Sequence, residues 1–415
     1  MKNKLPWCID PFINFAHTAD GYYRPCCIGT VDRDNGSNVS NMSPIEYFTG
    51  DEMDKVRRDM LSRNFSEHTK FLCSQCFKND KDGVKSRRIK QNETYFEYDE
   101  IHQLIDKYQD PNYKARVEDL KYVNFKILGN LCNLKCLMCG PSASSKIAAE
   151  WKKHNIAGHG NLKNVERLPY NDITKQSYMT DFDKILENID RFSLVGGEAF
   201  INPNFDEIWN ILSNNKNAKN MDLLIITNGT ILPQKVLDNA GNFKKLLLLF
   251  SIDGVYERGS YVRSGLDWNK FDSNVKRALD SDAECSFTVA TSMLNIGYLD
   301  DIYNYLKTLN VADYQIQWDA VVTDPAYLRA SNLPAHIKKQ YFEKLYNHPA
   351  FTQNNAKFNS ALEILQSTND NHQSFLDGIK FLKKIDSIRK TNTLKFFPEF
   401  AEYYEKLNTK KENTQ

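Results

Sequence analysis

The sequence predicts an α/β fold, in which the six strands of a parallel sheet, open or barrel-like, alternate with helices. Short apolar runs rich in β-branched residues recur six times between about residues 119 and 320, and helix-like segments separate most of them, a pattern typical of βα units. Five of the nine cysteines fall before residue 80, in turn-rich sequence that indicates a small domain organised around a metal site. From about residue 330 onwards the apolar residues have helical spacing, which predicts a helical extension.

These patterns set the expected domain limits at 1–115 for the cysteine-rich domain, 116–325 for the βα sheet and 326–415 for the helical extension. A chain of 415 residues is too long for one small core, and its hydrophobic content of 41% can fill more than one. The 54 basic and 53 acidic residues leave a net charge of +1. Such a balance gives no overall attraction to nucleic acid or to a membrane surface, so neither is an expected partner.

Composition also bears on the cellular compartment. The first residues contain no apolar run of signal-peptide length, and no window approaches the ~18 apolar residues of a membrane-spanning helix. We therefore expect a cytoplasmic protein, in which thiols stay reduced. Nine cysteines in that compartment favour metal binding over disulfide bonds.

The predicted strands alternate with segments of helical pattern. Strands are expected at 122–127, 191–195, 222–226, 246–252, 285–290 and 313–318. Helices are expected over 204–212, with Pro203 at the first position, and over 269–279. We interpret the stretch 154–180 as an insertion before the second strand, and Cys285 as a buried strand residue.

Polar residues and glycines follow five of these strands. In chain order they are the loop of Cys132, Cys136 and Cys139, then Gly196-Gly197-Glu198, Thr227-Asn228-Gly229, Ser251-Ile252-Asp253-Gly254 and Thr291-Ser292-Met293. Because functional residues of a parallel βα barrel lie at the carboxyl ends of its strands, we expect these residues to form one site.

The loop 132–139 carries three cysteines, Cys132, Cys136 and Cys139, and no fourth metal ligand of its own. A disulfide is disfavoured in a reducing compartment, and structural zinc needs a fourth thiol or imidazole, for which the next candidate is His154. An iron–sulfur cluster on three thiolates leaves one iron open to a ligand that is not protein, which is a catalytic feature. The three-cysteine loop therefore favours such a cluster.

The spacing Cys132-x-x-x-Cys136-x-x-Cys139 after a first strand resembles the signature of the radical S-adenosylmethionine (SAM) superfamily, and the resemblance covers about residues 120–320. It implies a partial (β/α)6 barrel of the TIM type, with SAM bound to the open iron of a 4Fe–4S cluster. In the family, an electron from the cluster, supplied by a donor such as flavodoxin or ferredoxin, cleaves SAM to a 5′-deoxyadenosyl radical that abstracts hydrogen from the substrate. The three cysteines are then the catalytic, cluster-binding residues.

Two further motifs resemble SAM contacts of the family. Gly196-Gly197-Glu198 matches its glycine–glycine–glutamate motif, in which the glycines permit a close backbone approach to the ligand and Glu198 accepts from the SAM ammonium. Arg263 resembles the arginine that pairs with the SAM carboxylate, a role that a guanidinium fork suits. A plain glycine turn and an exposed arginine without a role are the alternatives.

Four more residues are carried over to SAM. Ser251 and Asp253 resemble the pair that faces the ribose, and Asn228 is expected to contact the same ligand, although Asn-Gly and Asp-Gly steps also form plain turns. Met138 stands where the family commonly has an aromatic residue, and its thioether can pack on the adenine. These four complete the expected SAM-binding set.

The N-terminal cysteines resemble an auxiliary-cluster domain. The spacing Cys8-x12-Gly-x4-Cys26 is similar to the opening of the domains called SPASM, or twitch in their shortened form. The resemblance implies a second, auxiliary 4Fe–4S cluster on Cys8, Cys26, Cys73 and Cys76, in which Cys27 can replace Cys26. A full SPASM domain has seven cysteines and usually follows the barrel, so both number and order depart here. Zinc on four cysteines is the alternative.

The resemblance also implies a class of substrate. Enzymes with such auxiliary domains often oxidise a peptide or protein side chain, so a peptide is the favoured substrate and a small molecule, such as a sugar or nucleotide, is the alternative. The contrasting class is a non-enzymatic zinc scaffold or a nucleic-acid-binding protein. Near-neutral charge, and motifs at strand ends rather than on a basic face, disfavour that class. The expected function is that of a radical SAM oxidoreductase.

Overall fold

The structure, a computed structural model, describes residues 5–34, 36–81, 85–126, 129–156, 177–352, 356–368 and 371–412. Most of the insertion expected at 154–180 lies outside these described residues. The chain divides into two compact units. The first comprises Met1–Leu131, Asn164–Ile226 and Lys235–Leu247, and the second comprises Cys132–Lys163, Thr227–Gln234 and Leu248–Gln415.

The described residues form ten strands. They are β1 (Ala16–His17), β2 (Tyr23–Arg24), β3 (Tyr122–Phe125), β4 (Lys135–Cys136), β5 (Arg191–Leu194), β6 (Asp222–Thr227), β7 (Lys245–Ser251), β8 (Arg263–Ser264), β9 (Glu284–Thr291) and β10 (Ile316–Val321). The six runs predicted as strands lie in β3, β5, β6, β7, β9 and β10, although residue 127 is not described. The prediction of an α/β fold with a mainly parallel sheet is confirmed.

Helices connect these strands and follow the last one. They are α1 (Asp10–Ile13), α2 (Pro44–Thr49), α3 (Asp51–Ser62), α4 (Glu67–Leu72), α5 (Ser74–Lys81), α6 (Arg87–Tyr95), α7 (Asp99–Lys107), α8 (Ser145–Lys153), α9 (Ser177–Leu186), α10 (Phe205–Asn214), α11 (Gln234–Asp238), α12 (Tyr256–Val262), α13 (Trp268–Leu279), α14 (Leu299–Thr308), α15 (Ala335–Tyr346), α16 (Pro349–Thr352), α17 (Ala356–Gln366), α18 (His372–Arg389) and α19 (Ala401–Glu412). None of the helices in the described part of the chain has the length and apolar character that crossing a bilayer requires.

Parallel pairing builds the sheet of the first unit, whose strand order is β2-β1-β3-β5-β6, with β7 beginning next to β6. The short strand β1 pairs antiparallel with β2 and parallel with β3, where Ala16 lies opposite Asn124. The strands β3, β5 and β6 share one parallel register, in which Tyr122, Arg191 and Asp222 are neighbours. The N-terminal cysteine segment thus contributes a strand to the sheet of this unit.

The second unit holds the end of β7 together with β9 and β10. The strands β9 and β10 pair in parallel, with a register shift after Gln317. A separate two-stranded ribbon pairs β4 with β8 antiparallel and sets Cys136 opposite Arg263. The described residues after β10 contain helices and no strand, as the apolar spacing from residue 330 predicts.

The core of each unit lies against its strands. In the first, the ring of Phe125 is 5.0 Å from that of Phe192 and 5.8 Å from that of Phe182 on α9. In the second, the rings of Phe250 and Phe287 stack at 5.7 Å. All five side chains are fully buried. Burying one aromatic side chain contributes roughly 1.5–3 kcal/mol, so such layers hold the strands whose ends carry the polar loops.

Two boundaries differ from the expectation for a physical reason. Pro203 does not open α10, because the Asn204 N–H donates to the Asn202 side-chain oxygen at 2.9 Å and holds the proline in a turn ahead of the helix. The strand β10 begins at Ile316 rather than 313, because the Gln315 side chain accepts from the Ala312 N–H and closes a 3-10 turn over 313–315. In both cases a side-chain hydrogen bond overrides the apolar pattern.

Candidate functional site

The three cysteines of the loop 132–139 lie together in the second unit. The Cys132 N–H donates to Ser145 Oγ at 3.3 Å, and the Leu134 N–H points at Cys132 Sγ from 3.4 Å. The side chains of Cys136 and Cys139 form a hydrogen bond, and Cys139 also interacts electrostatically with Cys132. All nine cysteines, every one of them within the described residues, are thiols. The loop therefore presents three neighbouring sulfur ligands.

A buried arginine faces this loop. The β4–β8 ribbon sets Arg263 directly opposite Cys136, and the residue is only 8% exposed. Although burial alone would lower the pKa of Arg263, Cys136, then Asp253 and then Cys139 raise it above its usual value. The arginine therefore stays charged beside the sulfur ligands.

The same neighbours change the acidity of the thiols. A hydrogen bond from Cys139, followed by the charges of Arg263 and Arg389, lowers the pKa of Cys136 to about 7, against the effect of burial. The bond that stabilises the Cys136 thiolate raises the pKa of Cys139. Since metals and clusters bind the thiolate, the donor set and its cations fit an iron–sulfur cluster.

Asp253, predicted to face a ribose, holds Arg263. The carboxylate is 1% exposed; one oxygen accepts from the Ala290 N–H at 2.7 Å and the other from Arg263 Nη1. The Arg263 Nε–H is buried and has no hydrogen-bond partner among the described residues. One donor of the fork is therefore committed to Asp253, and another remains for an anionic group such as a carboxylate.

Asn228, at the end of β6, contacts the cysteine loop. Its side-chain amide donates to the Asn133 side-chain oxygen at 2.8 Å and approaches Cys132 Sγ at 3.9 Å. Its oxygen accepts from both the backbone N–H and the hydroxyl of Thr230. The structure thus places Asn228 beside the loop 132–139, and these hydrogen bonds join it to other protein residues.

The two remaining residues of the predicted SAM set in this unit are partly exposed. Ser251 ends β7, two residues before Asp253, and is half-buried. Met138 is half-buried and precedes Cys139 in the loop. Each is accessible enough to meet a ligand.

The glycine–glycine–glutamate motif lies in the first unit, after β5. The Gly197 N–H donates to the Gly129 carbonyl at 3.0 Å, and the Glu198 N–H donates to the Leu131 carbonyl at 2.7 Å. A Cβ on Gly197 would lie 2.2 Å from the Leu131 oxygen, so only glycine fits there. Gly196 has a positive φ of 146°. The sequence predicts that a ligand approaches these glycines closely. In the structure, the group that lies against Gly197 is the backbone of Leu131, which leads into Cys132.

Glu198 itself is 1% exposed, and one oxygen of its carboxylate accepts from the Phe200 N–H at 3.3 Å, which opens a short 3-10 turn. The bond fixes the carboxylate at the carboxyl end of β5. An ionised carboxylate in this position can accept from an ammonium group. Glu198 therefore has the acceptor that the predicted contact with the SAM ammonium requires.

A second cysteine cluster lies in the first unit. One cavity is lined by the four predicted cysteines, Cys8, Cys26, Cys73 and Cys76. Cys27, the alternative ligand, is not among its lining residues. Burial, followed by Asp10, raises the pKa of Cys8 and Cys26, and burial, followed by Cys76, raises that of Cys73 to about 12.

The surroundings of Cys76 suit a metal-bound sulfur. Burial raises the pKa of its thiol, against hydrogen bonds from the Arg88 N–H and the Ser86 hydroxyl. That hydroxyl is fully buried and has no nitrogen or oxygen partner within the described residues. Donors directed at cysteine sulfur tune iron–sulfur clusters, so this cavity fits one. In the described part of the chain, no group of three or more His, Cys, Asp and Glu side chains is suited to hold a single metal ion.

Sequence reasoning missed the polar residues around both cysteine sets. Asp10 is fully buried beside the N-terminal cavity, where it accepts from Arg87 Nε at 3.0 Å and from the Tyr122 hydroxyl. Arg389 approaches the loop 132–139 from α18, where no chemistry was expected. These contacts join residues far apart in sequence, and the proximity of Asp10 to Cys8 in the chain was the one local hint.

Cys285 is a buried residue of β9, as predicted.

Comparison with known proteins gives one family. The model described as "Radical SAM superfamily" matches residues 127–343, just over half of the chain. A search of the curated proteins gives no match.

Solved structures show a distant likeness. Native anSMEcpe with bound AdoMet is 18% identical with a TM-score of 0.39, over 55% of this chain and 60% of that one. The complex of anSMEcpe with AdoMet and a Cp18Cys peptide is 18% identical at a TM-score of 0.36, over 54% and 59%. Streptococcus suis SuiB bound to S-adenosylmethionine is 10% identical at 0.34, over 79% and 67%. The chain thus spans about 60% of the length of the anSMEcpe structures.

Proposed function

The chain belongs to the Radical SAM superfamily, and from that premise we propose that it reductively cleaves SAM at a 4Fe–4S cluster held by Cys132, Cys136 and Cys139. These three thiolates would hold the cluster, which when bound and reduced would supply the electron for cleaving SAM to methionine and a 5′-deoxyadenosyl radical. The observation that carries the proposal is the three-thiol loop with a buried cation opposite its middle cysteine. The electron would come from a donor such as flavodoxin or ferredoxin.

The protein residues would bind and orient SAM. Arg263 offers its unpartnered Nε–H to the SAM carboxylate while Nη1 stays on Asp253. Glu198 would accept from the SAM ammonium, and Ser251, with Asp253, would face the ribose. Gly196 and Gly197, Asn228 and Met138 would complete the site, the glycines by shaping the backbone that precedes Cys132. We expect them to be carried by a partial (β/α)6 barrel over 116–325.

A second 4Fe–4S cluster on Cys8, Cys26, Cys73 and Cys76 is part of this proposal. Support comes from the single cavity that these four thiols line and from the buried Ser86 hydroxyl beside Cys76. The cluster would belong to a twitch-like domain over 1–115, followed after the barrel by a helical extension over 326–415.

The substrate class rests on that second cluster. Auxiliary clusters of this kind accompany oxidation of peptide and protein side chains, so we propose a peptide or protein substrate. Removing a hydrogen atom leaves a substrate radical, and its further oxidation by one electron requires an acceptor near the site. Four cysteine ligands leave no iron open to SAM, so such a cluster suits an acceptor of electrons rather than a second site of SAM cleavage.

The test is metal analysis and turnover after anaerobic reconstitution of the full chain. Iron and sulfide near eight each per chain, with 5′-deoxyadenosine formed from SAM and dithionite, would support the proposal. The triple variant Cys132→Ala, Cys136→Ala, Cys139→Ala should form none. Cys285→Ala is the matched control, because Cys285 is a buried cysteine of β9 that belongs to neither proposed ligand set. Zinc without iron in the wild-type protein would overturn the proposal.

A further inference from the structure

An arginine from α18 binds the backbone between two of the predicted cluster ligands. Arg389, the last residue of α18, donates from Nη1 to the Lys135 carbonyl at 2.8 Å. Lys135 lies in the loop immediately before Cys136. The Arg389 side chain is only 5% exposed, so the contact is shielded from solvent. The loop 132–139 is therefore held from a segment that follows the whole sheet.

The other donors of Arg389 bind Glu150 on α8. Nη2 lies 2.7 Å from one carboxylate oxygen of Glu150, and Nε lies 3.1 Å and 3.2 Å from the two oxygens. Lys135 Nζ reaches the same carboxylate at 2.6 Å. Although burial would raise it, hydrogen bonds from Arg389 and then Lys135 hold the pKa of Glu150 below its ordinary value. A forked guanidinium that binds a carboxylate and a carbonyl at once has a fixed geometry.

Both ends of this arrangement are anchored. The N-terminus of α8 is tied to the loop, since Ser144 Oγ accepts from the Ile147 N–H as N-cap and donates to the Leu134 carbonyl at 2.6 Å. At the end of α18, Asp386 accepts from the N–H and hydroxyl of Thr393, which closes the turn after Arg389. Arg389 therefore bridges two fixed elements, and its guanidinium has little freedom to leave the loop.

The charges near the loop do not cancel. Arg389 and Lys135 supply two positive charges against the one negative charge of Glu150, so the arrangement carries a net positive charge next to Cys136. Reduction adds an electron to a cluster, and a nearby positive charge stabilises the reduced form.

We propose that Arg389 is a positioning residue of the SAM-binding cluster: it fixes the loop 132–139 through the Lys135 carbonyl and Glu150, and its charge makes the cluster easier to reduce. The inference rests on the proposed function, in which Cys132, Cys136 and Cys139 hold that cluster. It gives the last residue of α18 an indirect role at the proposed cluster site. Partners beyond the first ligands commonly change metal affinity tenfold to a hundredfold when they are replaced.

The experiment compares Arg389→Met, Arg389→Lys and Lys384→Met in the anaerobically reconstituted full chain. Lys384 is the matched control, because it lies on α18 and donates to the Asn155 carbonyl at 3.1 Å, an exposed contact that does not involve the loop. The readouts are the midpoint potential of the EPR signal that changes on SAM addition, and the rate at which an iron chelator removes that signal.

Arg389→Met should shift the midpoint potential to a more negative value. The chelator should remove the EPR signal of this variant roughly tenfold faster, or more, than that of the wild type. Arg389→Lys should keep the potential, because the charge remains, but lose the signal faster, because an ammonium cannot form the fork. Lys384→Met should match the wild type in both readouts. Should Arg389→Met fail to fold, Glu150→Gln takes its place, with an expected shift to a more positive potential.

Two outcomes would count against the inference and are distinguishable. Wild-type potential and chelation rate in Arg389→Met, in a preparation whose wild type has the SAM-dependent signal, would overturn it and leave the proposed function standing. Absence of a SAM-dependent signal in the reconstituted wild type would overturn the proposed function, and the inference with it.

Discussion

Cys136 and Arg263 lie opposite each other in the ribbon of β4 and β8, so a thiol and a buried guanidinium share one backbone register. The Leu137 N–H donates to the Val262 carbonyl at 2.8 Å beside this pair. Because hydrogen bonds fix the register of an antiparallel pair, the arginine is held beside the sulfur by the backbone as well as by its own side-chain contacts. Arg263 is therefore the sharpest probe of the proposed SAM contacts.

Arg263→Lys should weaken SAM binding roughly tenfold to a hundredfold, because the lysine can keep the ion pair with Asp253 but has no planar fork with which to hold the SAM carboxylate at the same time. Titration of the reconstituted variant with SAM measures this. Arg258→Lys is the control and should bind SAM normally, because Arg258 lies on α12, the helix just before Arg263, and pairs with Asp301. Equal affinity in the two variants would show that Arg263 does not contact SAM.

Replacing Cys132, Cys136 and Cys139 together by Ala should remove about half of the iron, since the N-terminal cysteines are proposed to keep the other cluster. Formation of 5′-deoxyadenosine from SAM and dithionite should cease. Iron analysis and chromatography of the reaction mixture measure the two effects. A deoxyadenosine yield like that of Cys285→Ala would exclude this loop as the cluster site.

Replacing Cys73 and Cys76 by Ala should spare SAM cleavage without substrate and stop product formation with it, because the second cluster is proposed to act after hydrogen abstraction. Both activities are measured on one preparation. A small metal-dependent domain can unfold without its metal, so circular dichroism and resistance to protease are compared with the wild type. Full product formation by a folded variant would show that this cluster is incidental to the reaction.

Gly197→Ala should destabilise the first unit strongly, because the new Cβ would lie 2.2 Å from the Leu131 carbonyl oxygen and the backbone would have to move. The same change at Gly241, where a Cβ would meet nothing within 4 Å, should be neutral or stabilise by up to about 1 kcal/mol. Urea unfolding of the two variants makes the comparison. Similar midpoints would mean that the backbone at Gly197 relaxes easily.

Stability should fall as the pH is lowered from 6.5 to 4, in part through His17. Burial lowers the pKa of this imidazole to about 4, whereas an unfolded histidine has a pKa near 6.5. In this window the unfolded state binds the proton more readily, so the contribution is fully present above pH 6.5 and is lost below it, up to about 3 kcal/mol. Urea midpoints across this range should fall less steeply in His17→Gln, with the exposed His336→Gln as the control.

The order of strands was predictable because each run of apolar β-branched residues is a local signal. The runs in β6, β7 and β9 are continuous, and no end of these strands differs from the prediction by more than one residue. The boundaries at Pro203 and Ile316 were missed because single side-chain hydrogen bonds from Asn202 and Gln315 set them. A hydrophobic pattern carries no information about such bonds.

The cysteine sets were predictable for the same reason, since the spacing of ligands is a property of the local sequence. What the pattern could not show is the partner of each charged residue. Both Asp253 and Arg263 are predicted from the sequence to contact SAM, and in the structure they form an ion pair with each other. Arg389 lies in a helix of ordinary composition, and only its contact with Lys135 reveals its position. Long-range pairing of this kind depends on the folded backbone rather than on any motif.

The bond between Arg389 and Lys135 joins residues that are 254 positions apart. A ribosome adds about 5–20 residues per second, so it needs roughly ten to fifty seconds to pass from one to the other. During that interval the growing chain carries Cys132, Cys136 and Cys139 without the arginine that later holds their loop. Translation itself therefore gives the three thiols a period in which a cluster can be inserted before Arg389 binds their loop.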